Sequence, residues 1–240
     1  MKSLVYLKVD RVSADLCREA ASVPVADLHE AMGPVHGRPA LMSKRMRPLN
    51  RGLRAAGPAT TCYCAPGDNL MMHRALYLAK PGDVLVIACQ SEDSGAQWGD
   101  VAAQYAQRKG LAAVVVHGCI RDTDILEQLR FPVWSTAISP AHPEKSGPGS
   151  VNVPVVCGGV LVQPGDLVVA DGDGVLVIPK LLAGETIARA RERSKREDDI
   201  ARSIREGAHV WDLIGAETAY RGLNPEEIDA PWAPTTDSLK

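Results

Sequence analysis

Gly99-Asp-Val-Ala-Ala-Gln-Tyr-Ala-Gln-Arg-Lys-Gly110 is followed directly by Leu111-Ala-Ala-Val-Val-Val-His-Gly-Cys-Ile-Arg-Asp122. In the first half, small and apolar residues recur at helical spacing, and the final glycine is a typical C-terminal stop. The second half contains an apolar, β-branched run of strand length, from Ala112 to Val116. The stretch therefore predicts a helix followed by a strand, with Asp100 near the helix start and Arg121-Asp122 just beyond the strand end. Such a unit can bring those two ends to the same edge of a sheet.

Two carboxylates and a guanidinium meet at this predicted edge, from Asp100, Arg121 and Asp122. They suit a hard divalent cation and an anionic, oxygen-rich substrate, because carboxylate oxygens hold such cations and the guanidinium fork matches carboxylates. The same residues also have simpler interpretations. An Asp before an apolar helix is usually an N-cap, and an Arg-Asp pair in a loop is usually a solvated ion pair. Spacing alone leaves both interpretations open.

Strands dominate the middle of the chain, helices lie at its two ends, and helix–strand alternation is confined to residues 70–116. Helices are predicted over 13–32 (interrupted at Val23-Pro24 and ended by Gly33-Pro34), 70–78, the stretch from Asp100, and 181–206. Strands are predicted over 59–64, 84–88, 112–116, 133–137, 153–157, 160–162, 168–170 and 175–178, with an irregular segment over 34–52. This order implies an α/β layered fold with a mixed sheet and not a regular doubly wound fold.

A Pro-Gly-Asp tripeptide begins at residues 66, 81 and 164. The second and third copies each deliver the chain into an apolar run, because Pro fixes one φ and Gly supplies an unusual one. The copies are unevenly spaced, so they do not indicate a repeat architecture. A related stretch, Asp171-Gly-Asp-Gly174, is predicted to be a hairpin turn, since it lacks the remaining ligands of an EF-hand calcium loop.

The composition is that of an ordinary soluble globular protein with one substantial core: 240 residues, 45% hydrophobic and 23% charged. A net charge of -2 gives no electrostatic argument for nucleic acid or for an anionic membrane. We expect a cytoplasmic protein, because no apolar run is long enough to span a membrane and the N-terminus does not read as a signal peptide. The six cysteines form no CxxC pair and are expected to be buried free thiols. No glycine-rich nucleotide-binding loop occurs.

At Asp100 and Arg121-Asp122 a resemblance becomes specific, because the spacing D-x20-R-D is similar to that of the class II pyruvate aldolases. The particular relatives are the 4-hydroxy-4-methyl-2-oxoglutarate / 4-carboxy-4-hydroxy-2-oxoadipate aldolases, whose fold is shared with the regulator of ribonuclease activity A. Further segments look like this family in the same order: Pro66-Gly-Asp-Asn69 with His73, Phe131-Pro-Val-Trp134, Gly149-Ser-Val-Asn-Val-Pro-Val-Val-Cys157 and Val169-Ala-Asp-Gly-Asp-Gly174. The likeness runs from about Val25 to Gly207.

The resemblance implies an α-β-β-α sandwich with a mixed sheet and a C-terminal helical arm. It implies Mg²⁺ or Mn²⁺ as cofactor, with Asp122 as the direct metal ligand and Asp100 holding water molecules around the ion. Arg121 would bind the keto and carboxylate oxygens of a 2-oxo acid. The amides near Gly99, Val101 and Ala102, at a helix start, would receive the substrate carboxylate, where the helix dipole favours an anion. The cation and the guanidinium would stabilise a pyruvate enolate during retro-aldol cleavage.

The resemblance also implies a homotrimer or homohexamer whose active sites lie at subunit interfaces. A glutamate on the C-terminal helix of a neighbouring subunit would reach the metal waters, with Glu197 the best match and Glu192 the alternative; a surface salt bridge is the simpler role for either. The implied organisation is one α/β domain over 1–180, a helical oligomerisation arm over 181–221 and an extended tail over 222–240.

His73 is the histidine with the best claim to a site role, as a substrate contact or in proton transfer. A structural role for a His on a helix after a turn stays open. His117 is interpreted as a packing residue. A Schiff-base aldolase is not expected, because no lysine lies in an apolar pattern near the site. The expected base is a metal-bound hydroxide, whose pKa the cation would lower. A nucleophilic role for Cys119 is not favoured, because neither a helix start nor a base accompanies it.

The resemblance also brings three other functions into consideration. A ring-shaped protein that binds and inhibits a ribonuclease shares this fold, but that regulator lacks the aspartate found here at Asp122. Oxaloacetate decarboxylation passes through the same enolate and would accompany aldolase activity. A menaquinone methyltransferase lacks support, since no loop for the methyl donor is present. Among substrates, the tricarboxylate 4-carboxy-4-hydroxy-2-oxoadipate, from aromatic acid breakdown, is preferred. Arginines that could meet extra carboxylates lie in the irregular segment: Arg45, Arg47, Arg51 and Arg54.

Overall fold

The structure, a computed structural model, describes residues 2–92 and 94–232. Its contacts divide the chain into two compact units, one ending at Ser194 and the other beginning at Lys195. The domain limits predicted from sequence, 1–180, 181–221 and 222–240, concern function and assembly and stay a prediction. Residues 233–240 of the predicted tail, which include Pro234, lie outside the described residues.

Seven α-helices begin in the described part of the first unit. Their bounds are α1 (Ala14–Ala21), α2 (Val25–Ala31), α3 (Gly33–Gly37), α4 (Leu70–Leu78), α5 (Asp100–Lys109), α6 (Thr123–Leu129) and α7 (Ala183–Arg205), with short 3-10 turns at Arg38–Ala40 and Lys180–Leu182. The start of α1 follows from its sequence, because the side chain of Ser13 accepts a hydrogen bond from the backbone of Leu16. The end of α5 is equally local, since Gly110 adopts the left-handed conformation at φ 80°.

Ten strands are present among the described residues. They are β1 (Arg47–Pro48), β2 (Ala55–Cys64), β3 (Val84–Ser91), β4 (Ala113–Ile120), β5 (Val133–Ile138), β6 (Gly149–Val151), β7 (Val155–Cys157), β8 (Val160–Val162), β9 (Leu167–Ala170) and β10 (Val175–Ile178). The main sheet has the order β1-β5-β4-β3-β2-β9-β10, and β6 pairs with the far end of β2. Strands β2 to β5 are parallel, and the added strands are antiparallel. β7 and β8 form a separate hairpin.

The layers follow from the alternating side chains of β9 and β10. Leu167 and Ile178 face α1, α2 and α7, whereas Val168 and Val177 join a second cluster with Val84 and other residues of β3 and β4. The opposite face of β3 and β4 is covered by α4, α5 and α6. The layer order is therefore helix, strand, strand, helix, and the predicted α-β-β-α architecture with a mixed sheet and a C-terminal helix is confirmed.

Several local predictions need correction. Gly33-Pro34 ends α2 as predicted, since Met32 is the C-cap and Gly33 (φ 69°) breaks the helix, but a further short helix, α3, follows at once and was not predicted. The segment 34–52 is not wholly irregular, since it includes most of α3, a 3-10 turn and β1. The helix α6 was not predicted from sequence, and its seven residues are too few for a helical pattern to stand out. Strand β2 begins four residues earlier than predicted.

The second unit contains the end of α7 and two short helices, α8 (Val210–Leu213) and α9 (Ala216–Gly222). Both fall almost wholly within the predicted helical arm over 181–221, although the sequence did not predict their separate bounds. Trp211 packs edge-to-face on Tyr220 at 5.4 Å between ring centroids, and Arg221 pairs with Glu217 at 2.6 Å. From residue 223 to 232 the chain forms neither helix nor strand.

All six cysteines are free and buried, as predicted. Burial raises the pKa of the Cys157 thiol to about 12. Burial, followed by the negative charge of Asp83, raises the pKa of the Cys17 thiol to about 11. Thiols with such pKa values are poor nucleophiles at neutral pH. Within the part of the chain that the structure describes, no helix is long and apolar enough to cross a membrane.

Candidate functional site

The candidate site lies where the parallel strands end. After β4 the backbone N–H of Arg121 donates to the carbonyl oxygen of Trp98 at 3.0 Å, and Trp98 pairs with Ile120 in parallel fashion. Because Trp98 immediately precedes Gly99, the start of α5 lies directly beside the end of β4. The carboxyl ends of parallel strands are the usual location of ligand sites in α/β sheets.

The absence of a side chain at Gly99 leaves room for the carboxylate of Asp122. A Cβ atom at Gly99 would lie 2.5 Å from Oδ2 of Asp122, well inside van der Waals contact. The same oxygen lies 3.4 Å from the backbone nitrogen of Asp100. The pairing of Gly99-Asp100 with Arg121-Asp122 that the spacing predicted is therefore a direct contact.

Asp122 is the N-cap of α6 and adopts a left-handed backbone conformation, with φ 58° and ψ 37°. Non-glycine residues occupy this region infrequently, although Asp and Asn tolerate it better than most. Its side chain keeps 32% of its surface exposed, and the Nε atom of Arg121 lies 3.4 Å from its Oδ2. The carboxylate is thus held in the open and is not enclosed by donors.

A cavity of about 230 Å³ opens beside these residues. It is lined by Asn69, Met72, His73, Ala96, Trp98, Gly99, Asp100, Val101, Ala102, Arg121, Asp122, Pro143 and Lys145. The predicted site residues on this wall are His73, Gly99, Asp100, Val101, Ala102, Arg121 and Asp122. The two glutamates predicted to reach a neighbouring subunit are not among the lining residues: Glu192 belongs to α7 in the first unit, and Glu197 belongs to α7 in the second unit.

The amino end of α5 presents unpaired backbone donors to the cavity. Gly99 occupies the N-cap position and supplies no side-chain acceptor. The amides of Val101 and Ala102 lie in the first turn, where a helix provides no carbonyl partner, so an anion can bind there. Asp100 is the first residue of α5 and not its cap, and its Oδ2 accepts from Gln104 at 3.3 Å. The N-cap interpretation of Asp100 is therefore wrong.

His73 and Lys145 add a titratable group and a cation to the wall. Partial burial, followed by the positive charge of Lys145, lowers the pKa of His73 below its ordinary value. His73 is therefore mainly neutral at pH 7 and has a nitrogen available to accept a proton. His117 lies outside this cavity and accepts a hydrogen bond from the amide of Gly158 at 3.2 Å, in keeping with a packing role.

Lys145 and Pro143 were not predicted from sequence, because the stretch from Pro140 to Gly149 carries no secondary-structure pattern. The neighbouring Asn69 belongs to the quoted Pro66-Gly-Asp-Asn69 motif, which was the available signal. By contrast, the four arginines between 45 and 54 do not line the cavity of their own chain. Arg45 pairs with Glu92, Arg47 donates to the carbonyl of Asp173, and Arg54 pairs with Asp171.

The donor set determines which metal suits the site. Asp100 and Asp122 supply carboxylate oxygens, and among the described residues no group of three or more His, Cys, Asp or Glu side chains is placed to hold a metal. Two carboxylates beside open space fit Mg²⁺ or Mn²⁺, which retain several water ligands. They do not fit a structural zinc site, which requires four nitrogen or sulfur ligands.

The fold and site together define a class: an α/β protein with a carboxylate–guanidinium cavity at the carboxyl edge of a parallel sheet. A family model described as RraA-like: Aldolase/RraA matches residues 25–177, and the chain belongs to this family.

The relatives are named for two different functions. A protein of Halalkalibacterium halodurans named "Putative 4-hydroxy-4-methyl-2-oxoglutarate aldolase" is 36% identical over 194 residues, covering 81% of this chain and 90% of the relative. The structure of Streptomyces coelicolor RraAS2, described as an unusual member of the RNase ES inhibitor RraA protein family, has a TM-score of 0.72 and 34% identity, covering 80% of this chain and 98% of that one. An uncharacterised Pseudomonas syringae protein has a TM-score of 0.75 and 26% identity, covering 85% and 98%.

Proposed function

We propose that this protein is a divalent-metal-dependent aldolase that cleaves a 4-hydroxy-2-oxo acid to pyruvate and a second 2-oxo acid. The preferred substrate is 4-carboxy-4-hydroxy-2-oxoadipate or 4-hydroxy-4-methyl-2-oxoglutarate. The observation that carries the proposal is the contact between Gly99-Asp100 and Arg121-Asp122 at a cavity. This contact brings two carboxylates, one guanidinium and the first turn of α5 to the wall of one cavity. The provisional name of the Halalkalibacterium halodurans relative supports the same reaction.

The residues divide the work by chemistry. The amides of Val101 and Ala102 receive the substrate carboxylate. Arg121 donates to the keto oxygen, where negative charge develops as the bond between C3 and C4 breaks. Asp122 and Asp100 would hold Mg²⁺ or Mn²⁺, which supplies positive charge next to that oxygen when bound.

Proton transfer is assigned to His73. The C4 hydroxyl must lose its proton as C4 becomes a carbonyl, and the electron pair of the broken bond moves into the enolate of pyruvate. Protonation of that enolate at C3 completes the reaction. His73 suits the acceptor role because burial and Lys145 lower its pKa, so it is neutral at pH 7.

The test is a coupled assay of pyruvate release. Protein treated with EDTA is given a 4-hydroxy-2-oxo acid, or oxaloacetate, with and without added Mg²⁺ or Mn²⁺. We expect both substrates to release pyruvate faster than a protein-free control at the same metal concentration, and only when the metal is present, because decarboxylation of oxaloacetate forms the same enolate. An absence of pyruvate from either substrate with either metal contradicts the proposal.

The second candidate is a non-enzymatic protein that binds a ribonuclease. It is favoured by the similarity to Streptomyces coelicolor RraAS2, which is described as belonging to the RNase ES inhibitor RraA family. Asp122 is the feature that argues for the enzyme, since a purely protein-binding role gives no reason for a strained, open carboxylate at a cavity. The pyruvate assay separates the two functions.

We also propose that the protein acts as a homotrimer or homohexamer, with Glu197 of one subunit completing the site of the next. We expect Glu197→Ala to lower turnover about tenfold, the usual cost of losing an outer-sphere partner of a metal site. Asp198→Ala, which changes an adjacent exposed carboxylate, is the control. If Glu197→Ala leaves the rate unchanged, Glu192 becomes the residue to test.

Subunit mixing tests the same point without relying on one variant. Asp122→Asn and Glu197→Ala subunits, unfolded and refolded together, form some sites with both wild-type residues if the two residues come from different chains. We expect the mixture to exceed the summed activities of its components. Activity equal to that sum contradicts a shared site.

A further inference from the structure

The three Pro-Gly-Asp turns offer a comparison within the chain. Each ends in a buried aspartate, with exposed fractions of 4% for Asp68, 0% for Asp83 and 7% for Asp166. Asp83 and Asp166 accept hydrogen bonds from groups that lie outside the candidate cavity. Asp68 differs, because it connects two segments that both line the cavity.

The carboxylate of Asp68 bridges the start of α4 to the segment 143–147. Its Oδ2 accepts from the amides of Ser146 and Gly147, both at 2.6 Å. Its Oδ1 accepts from the amide of Leu70, the first residue of α4, at 2.8 Å. Asn69 and His73 lie on the α4 side of this bridge, whereas Lys145 lies on the other side.

The contact between the side chain of Asp68 and Gly147 is tightly packed. A Cβ atom at Gly147 would lie 2.8 Å from Cγ of Asp68. Two backbone hydrogen bonds run alongside, from Asn69 to the carbonyl of Glu144 at 3.0 Å and from Glu144 to the carbonyl of Gly67 at 2.7 Å. Asp68 is thus packed and hydrogen-bonded on the side that faces the segment.

The carboxylate is held in its charged form. Burial alone raises the pKa of Asp68, but the three amides and the positive charge of Lys145 outweigh it, so the pKa lies below its ordinary value. Hydrogen bonds to an ionised acceptor are stronger than those to a neutral one. The bridge therefore persists over the neutral pH range.

We propose that Asp68 is a positioning residue that fixes the segment 143–147 against α4 and thereby holds Lys145 on the cavity wall. Lys145 then presents its ammonium group to an anionic substituent of the substrate beyond the 2-oxo acid end. This assignment rests on the proposed function and extends it to the substrate's distal end. The first Pro-Gly-Asp turn accordingly positions a residue of the cavity wall, whereas the other two turns stabilise the sheet.

The test compares Asp68→Asn with Asp166→Asn. An asparagine has one oxygen acceptor and one NH₂ donor, so at least one of the three amides loses its acceptor. Asp166→Asn makes the same change in the third copy of the tripeptide, where the partners are the amides of Gln163 and Lys180. It controls for the general loss of stability.

The first measurement is amide hydrogen exchange, which needs no turnover. We expect the amides of Ser146 and Gly147 to exchange about tenfold faster in Asp68→Asn, because local opening is easier once an acceptor is lost, and to be unchanged in Asp166→Asn. Equal exchange in the two variants overturns the proposal. If Asp68→Asn does not fold, Gly147→Ala attacks the same contact from the opposite side.

The second measurement is the KM for 4-carboxy-4-hydroxy-2-oxoadipate. We expect Asp68→Asn to raise KM about tenfold with kcat within about twofold, since misplacing a binding group by a fraction of an ångström is sufficient for this effect. In a Lys145→Ala background the same substitution should add nothing further. An equal additional rise there means that Asp68 acts on structure alone and overturns the positioning role.

The two measurements separate the two proposals. A wild-type protein that releases no pyruvate contradicts the proposed function, whereas the exchange comparison still decides whether Asp68 holds the segment. Faster exchange together with unchanged KM retains the bridge but removes its role in substrate binding, and so contradicts the assignment to Lys145.

Discussion

Asp83 and Asp122 lie at opposite ends of the same sheet and differ in their burial and in the number of hydrogen bonds that they accept. Asp83 precedes β3 and is fully buried; it accepts from Arg11 twice at 2.8 Å, from the hydroxyl of Thr60 at 2.7 Å and from the amide of Lys80 at 2.8 Å. Asp122 follows β4, keeps a third of its side chain exposed and lies in a strained backbone conformation.

The difference distinguishes a carboxylate that stabilises the fold from one that can bind a ligand. A buried carboxylate that accepts four hydrogen bonds from the protein stabilises one arrangement of the chain and is closed to a ligand. An open carboxylate with few donors retains that capacity, and strain in such a residue is common at functional sites. Five substitutions at the two ends of the sheet test this contrast, starting with the largest expected effect.

Asp122→Asn should reduce the turnover number for pyruvate release by about a thousandfold, because it removes the negative carboxylate that would hold the divalent cation beside the enolate oxygen. Asparagine tolerates the left-handed conformation, so the midpoint of thermal unfolding should stay close to that of the wild type. Arg121→Ala should have nearly the same effect on turnover. Asp124→Asn, an exposed aspartate two residues later, is the control. Full activity in Asp122→Asn contradicts the site assignment.

Arg11→Ala should lower the free energy of unfolding by about 3–5 kcal/mol, because it leaves the buried charge of Asp83 without its partner. Turnover per folded molecule should not change. Arg18→Ala removes an exposed partner of Asp15 and should cost less than about 1 kcal/mol. Urea unfolding of the three proteins measures both values. If the free energy of unfolding falls as little in Arg11→Ala as in Arg18→Ala, the ion pair of Arg11 with Asp83 does not stabilise the fold.

Gly99→Ala should reduce kcat/KM about tenfold to a hundredfold, because its methyl group displaces the carboxylate of Asp122. The backbone of Gly99 has φ -160°, which alanine adopts freely, so unfolding should change little. Gly172→Ala is the matched control, since no atom lies within 4 Å of a Cβ there. Equal activity in both variants indicates that the contact between Gly99 and Asp122 has no functional role.

Lys145→Ala should raise the pKa of His73 towards its ordinary value, because one of the two causes that lower it is removed while burial remains. If neutral His73 accepts the proton, activity is lost as pH falls through its pKa, and the acid limb of kcat/KM should move to higher pH. NMR titration of the imidazole measures the pKa directly. Lys145→Arg keeps the positive charge and should leave both the pKa of His73 and the acid limb of kcat/KM unchanged. If the pKa shifts in that variant as well, the cause is a change of structure and not the loss of charge.

The local elements were largely predictable from sequence. The helix α4 has the predicted bounds, and α5 ends at the predicted glycine, because helical spacing and a glycine stop are written within about ten residues. The proximity of Asp100 to Arg121-Asp122 was also predictable, since a helix joined to a strand returns the chain to the same sheet edge. The identity of the chemistry there depended on a resemblance to known aldolases.

The rest required the folded molecule. The sequence by itself determined the layered α/β class, the elements around residues 99–122 and the charges that meet at their junction, because these depend on local periodicity and short connections. Only the tertiary structure decided that β9 lies next to β2, that Asp122 takes a left-handed conformation against Gly99, and that Lys145 reaches the cavity through Asp68. These features depend on contacts between residues far apart in the chain, and no local pattern encodes which distant partner a side chain will meet.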